Sequence, residues 1–338
     1  MSHLTRLAAS ACTCLALAGF ARADALTDAV LDGHILPTYT RLAASTAHLQ
    51  EVAVSDCDPQ SEGLRAAWGE AFDAWVAASH LRFGPSEADN RAFAIAFWPD
   101  SRSRTPKALR SMLVNADPSV STAETFATAS IAVRGFYTLE YLMYDPDYQG
   151  LATPDYTCAF VQAIARDLAL NTQNILTEWQ ADYAAQMRDP NSRYHSDSEV
   201  HQELFKALTT GLEILTDMRL GRPLGSFDAP RPALAEARRS GRSLHNVAVQ
   251  LGAIRELALL LAQGDEAITQ DLNATFATAE KHIANLADDP SFAGVADPQK
   301  RFAIEALQQD VRDVKAIVGD KIGPRLGVEA GFNALDGD

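Results

Sequence analysis

The stretch FATASIAVRGFYTLEYLMY, residues 126–144, decides the fold. Wound as a helix, it shows apolar or aromatic side chains on every side, and only Arg134 and Glu140 in it are formally charged. A helix that is apolar all round is a buried helix, so the pattern predicts one buried helix over 126–144. A carboxylate in such a place is costly unless something compensates it. Tyr137 stands three residues before Glu140 and Tyr144 four after it, which puts all three on one face. The stretch offers either a buried cluster of oxygen ligands or a set of hydrogen-bonding groups. A Tyr–Glu hydrogen bond, or an Arg–Glu ion pair that steadies the core, satisfies the same pattern.

Outward from this stretch, apolar residues recur at helical spacing along most of the chain. Residues 26–54 read as a long helix that Pro37 bends or interrupts. After a turn carrying Cys57, Ser61 opens a second helix with Leu64, Trp68, Phe72, Trp75 and Ser79 on one face. The opposite face holds Ala66, Gly69, Glu70, Asp73 and Ala77. Small residues there admit a close neighbour, so Glu70 and Asp73 are either buried or facing a cleft, or else they form a polar stripe in water. Residues 94–104, AIAFWPDSRSR, are irregular and aromatic and hold Asp100. A helix over 158–187, capped by Asp155 or Thr157, precedes a polar segment at 188–198. Further helices are expected over 199–220, 244–261, 266–287 and 298–318, with a breaker-rich connection at 221–232 and a non-helical tail. No segment alternates as a strand does. The expected fold is all-α, two up-and-down helical bundles, divided as 24–190 and 191–338.

The formal net charge of −15 disfavours nucleic acid and anionic membrane surfaces as partners. Residues 1–23 read as a signal peptide: an Ala- and Leu-rich run over 7–20, then the small-x-small signal Ala21-Arg22-Ala23. The run is too short to span a membrane, so a soluble exported, periplasmic protein is expected. Cys12 and Cys14 leave with that segment. Cys57 and Cys158 remain, and in an oxidising compartment they read as one disulfide rather than two free thiols. The chain has no Walker loop, dinucleotide fingerprint, CxxC, HExxH or GxSxG, and no histidines at ligand spacing.

Several segments together resemble the imelysin family of exported bacterial proteins. The family's GxHxxE signature stands here as Gly135-Phe136-Tyr137-Thr138-Leu139-Glu140, with Tyr137 in the place of His. RFGP (82–85), AFWPDSR (96–102), LGRPLG (220–225), RSGRS (239–243) and GFNALDGD (331–338) match as well. The resemblance implies two bundles related by a pseudo-twofold, with a cleft between them, and a part in periplasmic iron uptake. It maps an acidic metal set onto Glu70, Asp73 and Glu140, with Tyr137 at the His position. Asp100, Arg242 and Ser243 become candidates for binding in the cleft. The implied cargo is iron or another divalent or trivalent cation, or a small ligand. The implied partners are other periplasmic or membrane components of iron uptake. The family name also carries a peptidase activity, so an imelysin-type metallopeptidase is one alternative, and a scaffold binding a non-metal ligand or a protein is another. Tyr for His removes a neutral imidazole that zinc would use, whereas ferric iron accepts carboxylate and phenolate oxygens.

Overall fold

The computed structural model describes residues 24–189 and 192–328. The expected signal peptide, the division at 190/191 and the tail segment 331–338 lie outside the described residues. Asp24 accepts the Thr27 N–H at 3.0 Å and caps α1 (Ala25–Val30). α1 passes through a π-turn at Leu31–Ile35 into α2 (Leu36–Ser55). Pro37 therefore does not end the helix. It lacks the N–H that would bond the Gly33 carbonyl, and the widened turn before it accommodates the loss.

Ser61 caps α3 (Glu62–Ala78), which buries Leu64, Trp68, Phe72 and Trp75 as its spacing predicts. The short α4 (Arg91–Ile95) and α5 (Arg104–Asn115) follow. The decisive stretch is not one helix. α6 (Ala123–Ala127) ends before a 3-10 turn at Ile131–Val133, and α7 (Gly135–Tyr144) begins afresh. Arg134 is extended, and Gly135 has φ +76°, in the left-handed region. A Cβ at Gly135 would lie 2.2 Å from the Ile95 carbonyl oxygen. Glycine is thus required there by both torsion and space. Arg134 turns away from Glu140 and makes paired bonds of 2.8 and 2.7 Å to Asp167, so the expected Arg–Glu pair is not formed.

Thr153, rather than Asp155 or Thr157, caps α8 (Pro154–Glu178), because Pro154 takes the first helical position. A π-turn at Trp179–Tyr183 leads to α9 (Ala184–Arg188). α2 packs against both α3 and α8, and Thr46 and Thr172 share a buried 2.6 Å hydrogen bond between α2 and α8. Cys57 and Cys158 form a disulfide, with Cα atoms 5.0 Å apart.

In the rest of the chain, α10 (Asp197–Glu213) continues through a π-turn at Ile214–Leu220 into α11 (Gly221–Leu224). α12 (Ser243–Leu261), α13 (Glu266–Asn285), α14 (Pro298–Ile317) and α15 (Gly323–Leu326) complete it. α12 is long and apolar enough to cross a membrane, but it is a core helix. It packs on α3 with Val247, Leu251, Ile254 and Leu257 buried. Among the described residues there is no strand, only an isolated bridge between Ser226 and Ala229. The fold is all-α, as expected.

Candidate functional site

The site begins with α7. Its first turn, set by Gly135, carries Tyr137 inward, where Phe72 meets the ring edge-on at 5.4 Å. The Tyr137 hydroxyl donates to Glu236 Oε1 at 2.5 Å. Glu236 lies in the connection before α12 and is fully buried. Arg219, from the π-turn that follows α10, donates to both of its oxygens, at 2.5 and 2.9 Å. Asn246 Nδ2 adds a bond of 3.1 Å. Arg219 also bonds Gln250 Oε1, and Gln250 donates to the Gly211 carbonyl at 3.2 Å. Burial works against ionisation of Glu236, but Arg219, Tyr137 and Asn246 outweigh it and hold the carboxyl below its ordinary range. Burial, aided by the Glu236 charge, pushes the Tyr137 phenol well up, so its proton stays on it. Arg219 is buried too, and Glu236 keeps it charged.

One turn further along α7, Glu140 is 2% exposed. Its Oε1 accepts from the Ser240 N–H at 3.0 Å and from Ser240 Oγ at 2.9 Å. Burial raises its pKa, with Ser240 and Arg239 opposing and Glu236 assisting. Glu140 and Tyr137 line a cleft of about 470 Å³, within the usual range for small-ligand sites. Trp98, Asp100, Tyr141, Arg222 and Arg239 line it too. Arg239 lies 3.7 Å over the Tyr141 ring and pairs with Asp145 at 2.6 Å. Tyr137 and Trp98 also line a second cavity, of about 300 Å³, whose wall includes Arg219 and Glu236.

The residues expected from sequence divide. Asp100, Tyr137 and Glu140 line the one cleft. Asp100 is already engaged: it accepts the Arg104 and Thr105 N–H groups at 2.9 and 2.8 Å, at the start of α5. Ser243 is buried beside the network and donates to the Glu236 carbonyl at 2.5 Å. Arg242 crosses Gly69, where a Cβ would come within 3.3 Å of its Nη1, and pairs with Asp73. His245 Nε2 meets the same Asp73 oxygen at 2.9 Å. The small-residue face of α3 thus admits a guanidinium at Gly69. Glu70 is exposed, so it does not share an interior with Glu140 as the sequence suggested. Among the described residues, no three His, Cys, Asp or Glu side chains are grouped to hold a metal ion. The donors present do not fit a bare resident cation: the Tyr137 hydroxyl is committed to Glu236, and Asp73 is committed to Arg242 and His245.

Sequence reasoning missed Glu236 and Arg219, and it quoted LGRPLG without singling out Arg222. The signal was available in part. AFWPDSR, the GxxxxE turn, LGRPLG and RSGRS supply Trp98 and Asp100, Tyr137 and Glu140, Arg222, and Arg239, all to one cleft.

Fold and site together define an all-helical protein with a polar, ligand-sized cleft behind a buried charge network. The chain matches the family model described as imelysin, a peptidase family by name, over residues 35–318, and it belongs to the imelysin family. An imelysin-like protein from Psychrobacter arcticum 273-4 superposes with a TM-score of 0.75 at 21% identity, covering 90% of this chain and 96% of that one. A putative iron-regulated protein A precursor from Parabacteroides distasonis ATCC 8503 superposes with a TM-score of 0.70 at 14% identity, covering 87% and 92%. These two likenesses concern the fold. No curated protein matches the sequence.

Proposed function

We propose that this is an exported accessory binding protein of iron acquisition, and that its cargo is taken up in the cleft against Tyr137 and Glu140. The observation that carries this reading is the convergence of four separate segments on that cleft. Family membership and the iron-regulated neighbour support the iron connection. The acidic set expected from sequence, with Glu70 and Asp73 as ligands, is replaced in this reading by cargo that brings its own ligands. Glu140 then offers the oxygen not used by Ser240, and the Tyr137–Glu236–Arg219 network keeps the cleft wall in place.

The test is thermal unfolding and calorimetry with ferric citrate. Binding should raise the melting temperature by mass action, equivalent to about 2.7 kcal/mol at a hundredfold excess over the dissociation constant. Glu140→Gln should remove that gain with the helical spectrum intact, and Glu70→Gln should not. No shift in wild type, or a shift indifferent to Glu140→Gln, would refute the reading.

A further inference from the structure

The buried arginines of this protein have carboxylate partners: Arg134 with Asp167, Arg219 with Glu236, and Arg301 with Glu305. Arg239, which lines the cleft, and Arg242 are paired with Asp145 and Asp73. Arg222, in the cleft, has no such partner. It is half-buried and lines the cleft. No ion pair or hydrogen bond is made by its side chain among the described residues, and its Nε is closed off from solvent with no partner. Such a donor is costly to leave unmade. Its guanidinium carbon stands 6.0 Å from the centre of the Trp98 ring, a distance that permits cation–π attraction. Arg238 lines the same cleft and is exposed, and its side chain makes no ion pair or hydrogen bond among the described residues. Burial and the nearby Arg231 charge both oppose the charge on Arg222. Four carboxylates share the cleft, Asp100, Glu140, Asp145 and Asp147, but none of them pairs with Arg222: Asp100 accepts from the start of α5, Glu140 from Ser240 and Asp145 from Arg239.

We propose that Arg222, with Arg238 beside it, is the recognition point for a carboxylate group of a small oxygen-rich anion bound in the cleft along Trp98. The planar guanidinium matches a carboxylate with two parallel N–H···O bonds. Nε is one of the donors that such a fork uses, and none of the Arg222 guanidinium nitrogens has a protein partner among the described residues. Glu140 and Tyr141, which line the same cleft, suit the hydroxyl or protonated end of the same ligand. This deepens the reading given above and rests on it for the site, but not for the metal. The carboxylate can belong to a free organic acid or to one already holding ferric iron.

The test is calorimetric titration of the full mature chain with citrate alone, with ferric citrate and with inorganic phosphate. Wild type, Arg222→Gln, Arg222→Lys, Arg238→Gln and Glu140→Gln are compared, each checked by circular dichroism. Wild type should bind citrate in at least one of its two forms, and more tightly than phosphate. Arg222→Gln should weaken this roughly tenfold or more, and Arg222→Lys should recover only part, because an ammonium lacks the fork. Arg238→Gln should weaken it less. Binding should fall with salt in wild type and fall less steeply in Arg222→Gln. If ferric citrate binds with sensitivity to Glu140→Gln but none to Arg222→Gln, this proposal fails and the iron reading stands. If free citrate binds as tightly as its ferric complex and depends on Arg222, the proposal stands and the iron reading fails. If neither form of citrate binds wild type, the proposal is overturned.

Discussion

Arg219 and Glu236 are opposite charges held out of water together, at 2.5 and 2.9 Å. Removing one partner strands the other, so Arg219→Met should cost about 3–5 kcal/mol, and Arg219→Met with Glu236→Leu should recover much of that loss. Urea unfolding of the two variants checks this; a single variant as stable as wild type would contradict it. Glu140 behaves in the opposite sense. Its folded pKa is raised above the usual 4.5, so the folded state binds more protons, and its ionisation subtracts stability as pH rises above 4.5. Glu140→Gln keeps an acceptor for Ser240 and cannot ionise. It should be at least as stable as wild type at neutral pH, with the advantage shrinking toward pH 4.5, as read from unfolding at the two pH values. At this scale the sequence showed which residues were unusual, Tyr137 and Glu140, but not whom they meet. Tyr137 and Glu236 are 99 positions apart, and no local spacing marks a partner at that distance.

Among the elements, the long helices were legible because amphipathic periodicity survives in each of them. The stretch 126–144 was misread because burial makes any backbone look apolar all round. Hydrophobicity does not record the extended Arg134 or the left-handed Gly135 that restarts the helix. The π-turn at Leu31–Ile35 was illegible for the same reason, and it aims His34 at His80, with Nε2 atoms 2.9 Å apart. One imidazole must donate and the other accept. Glu256 lies 3.3 Å from His34 Nδ1, and burial, then the neighbouring His34, drives the His80 pKa well below 6.5. The unfolded state therefore binds more protons below about pH 6.5, and stability falls as pH falls through that window, by at most about 1.4 kcal/mol per pH unit for this group. His80→Gln should show a shallower loss between neutral and mildly acid pH in denaturant unfolding. An unchanged slope would mean that His80 does not report the difference.

For the whole molecule, the Cys57–Cys158 bridge closes a loop with a sequence separation of 101. The sequence indicated it from cysteine number and compartment alone. In the chain-entropy model such a bridge contributes roughly 3–5 kcal/mol. Cys57→Ser should lower stability by about that much while leaving the cleft residues in place. Equal melting of the variant and the oxidised wild type would contradict this. The general architecture was legible from periodicity and from the segments that match the family. The position of the cleft was legible only from those segments, since charge, composition and spacing do not say that residues 96–102, 135–140, 220–225 and 239–243 meet.

The central claim is that cargo enters this cleft and not the face of α3 that carries Glu70 and Asp73. The most direct measurement is anomalous scattering at the iron edge from crystals grown with ferric citrate. A single iron peak in the cleft between Glu140 and Arg222 is the predicted result. A peak at Glu70 and Asp73, or no ordered iron in fully exchanged crystals, would contradict the account.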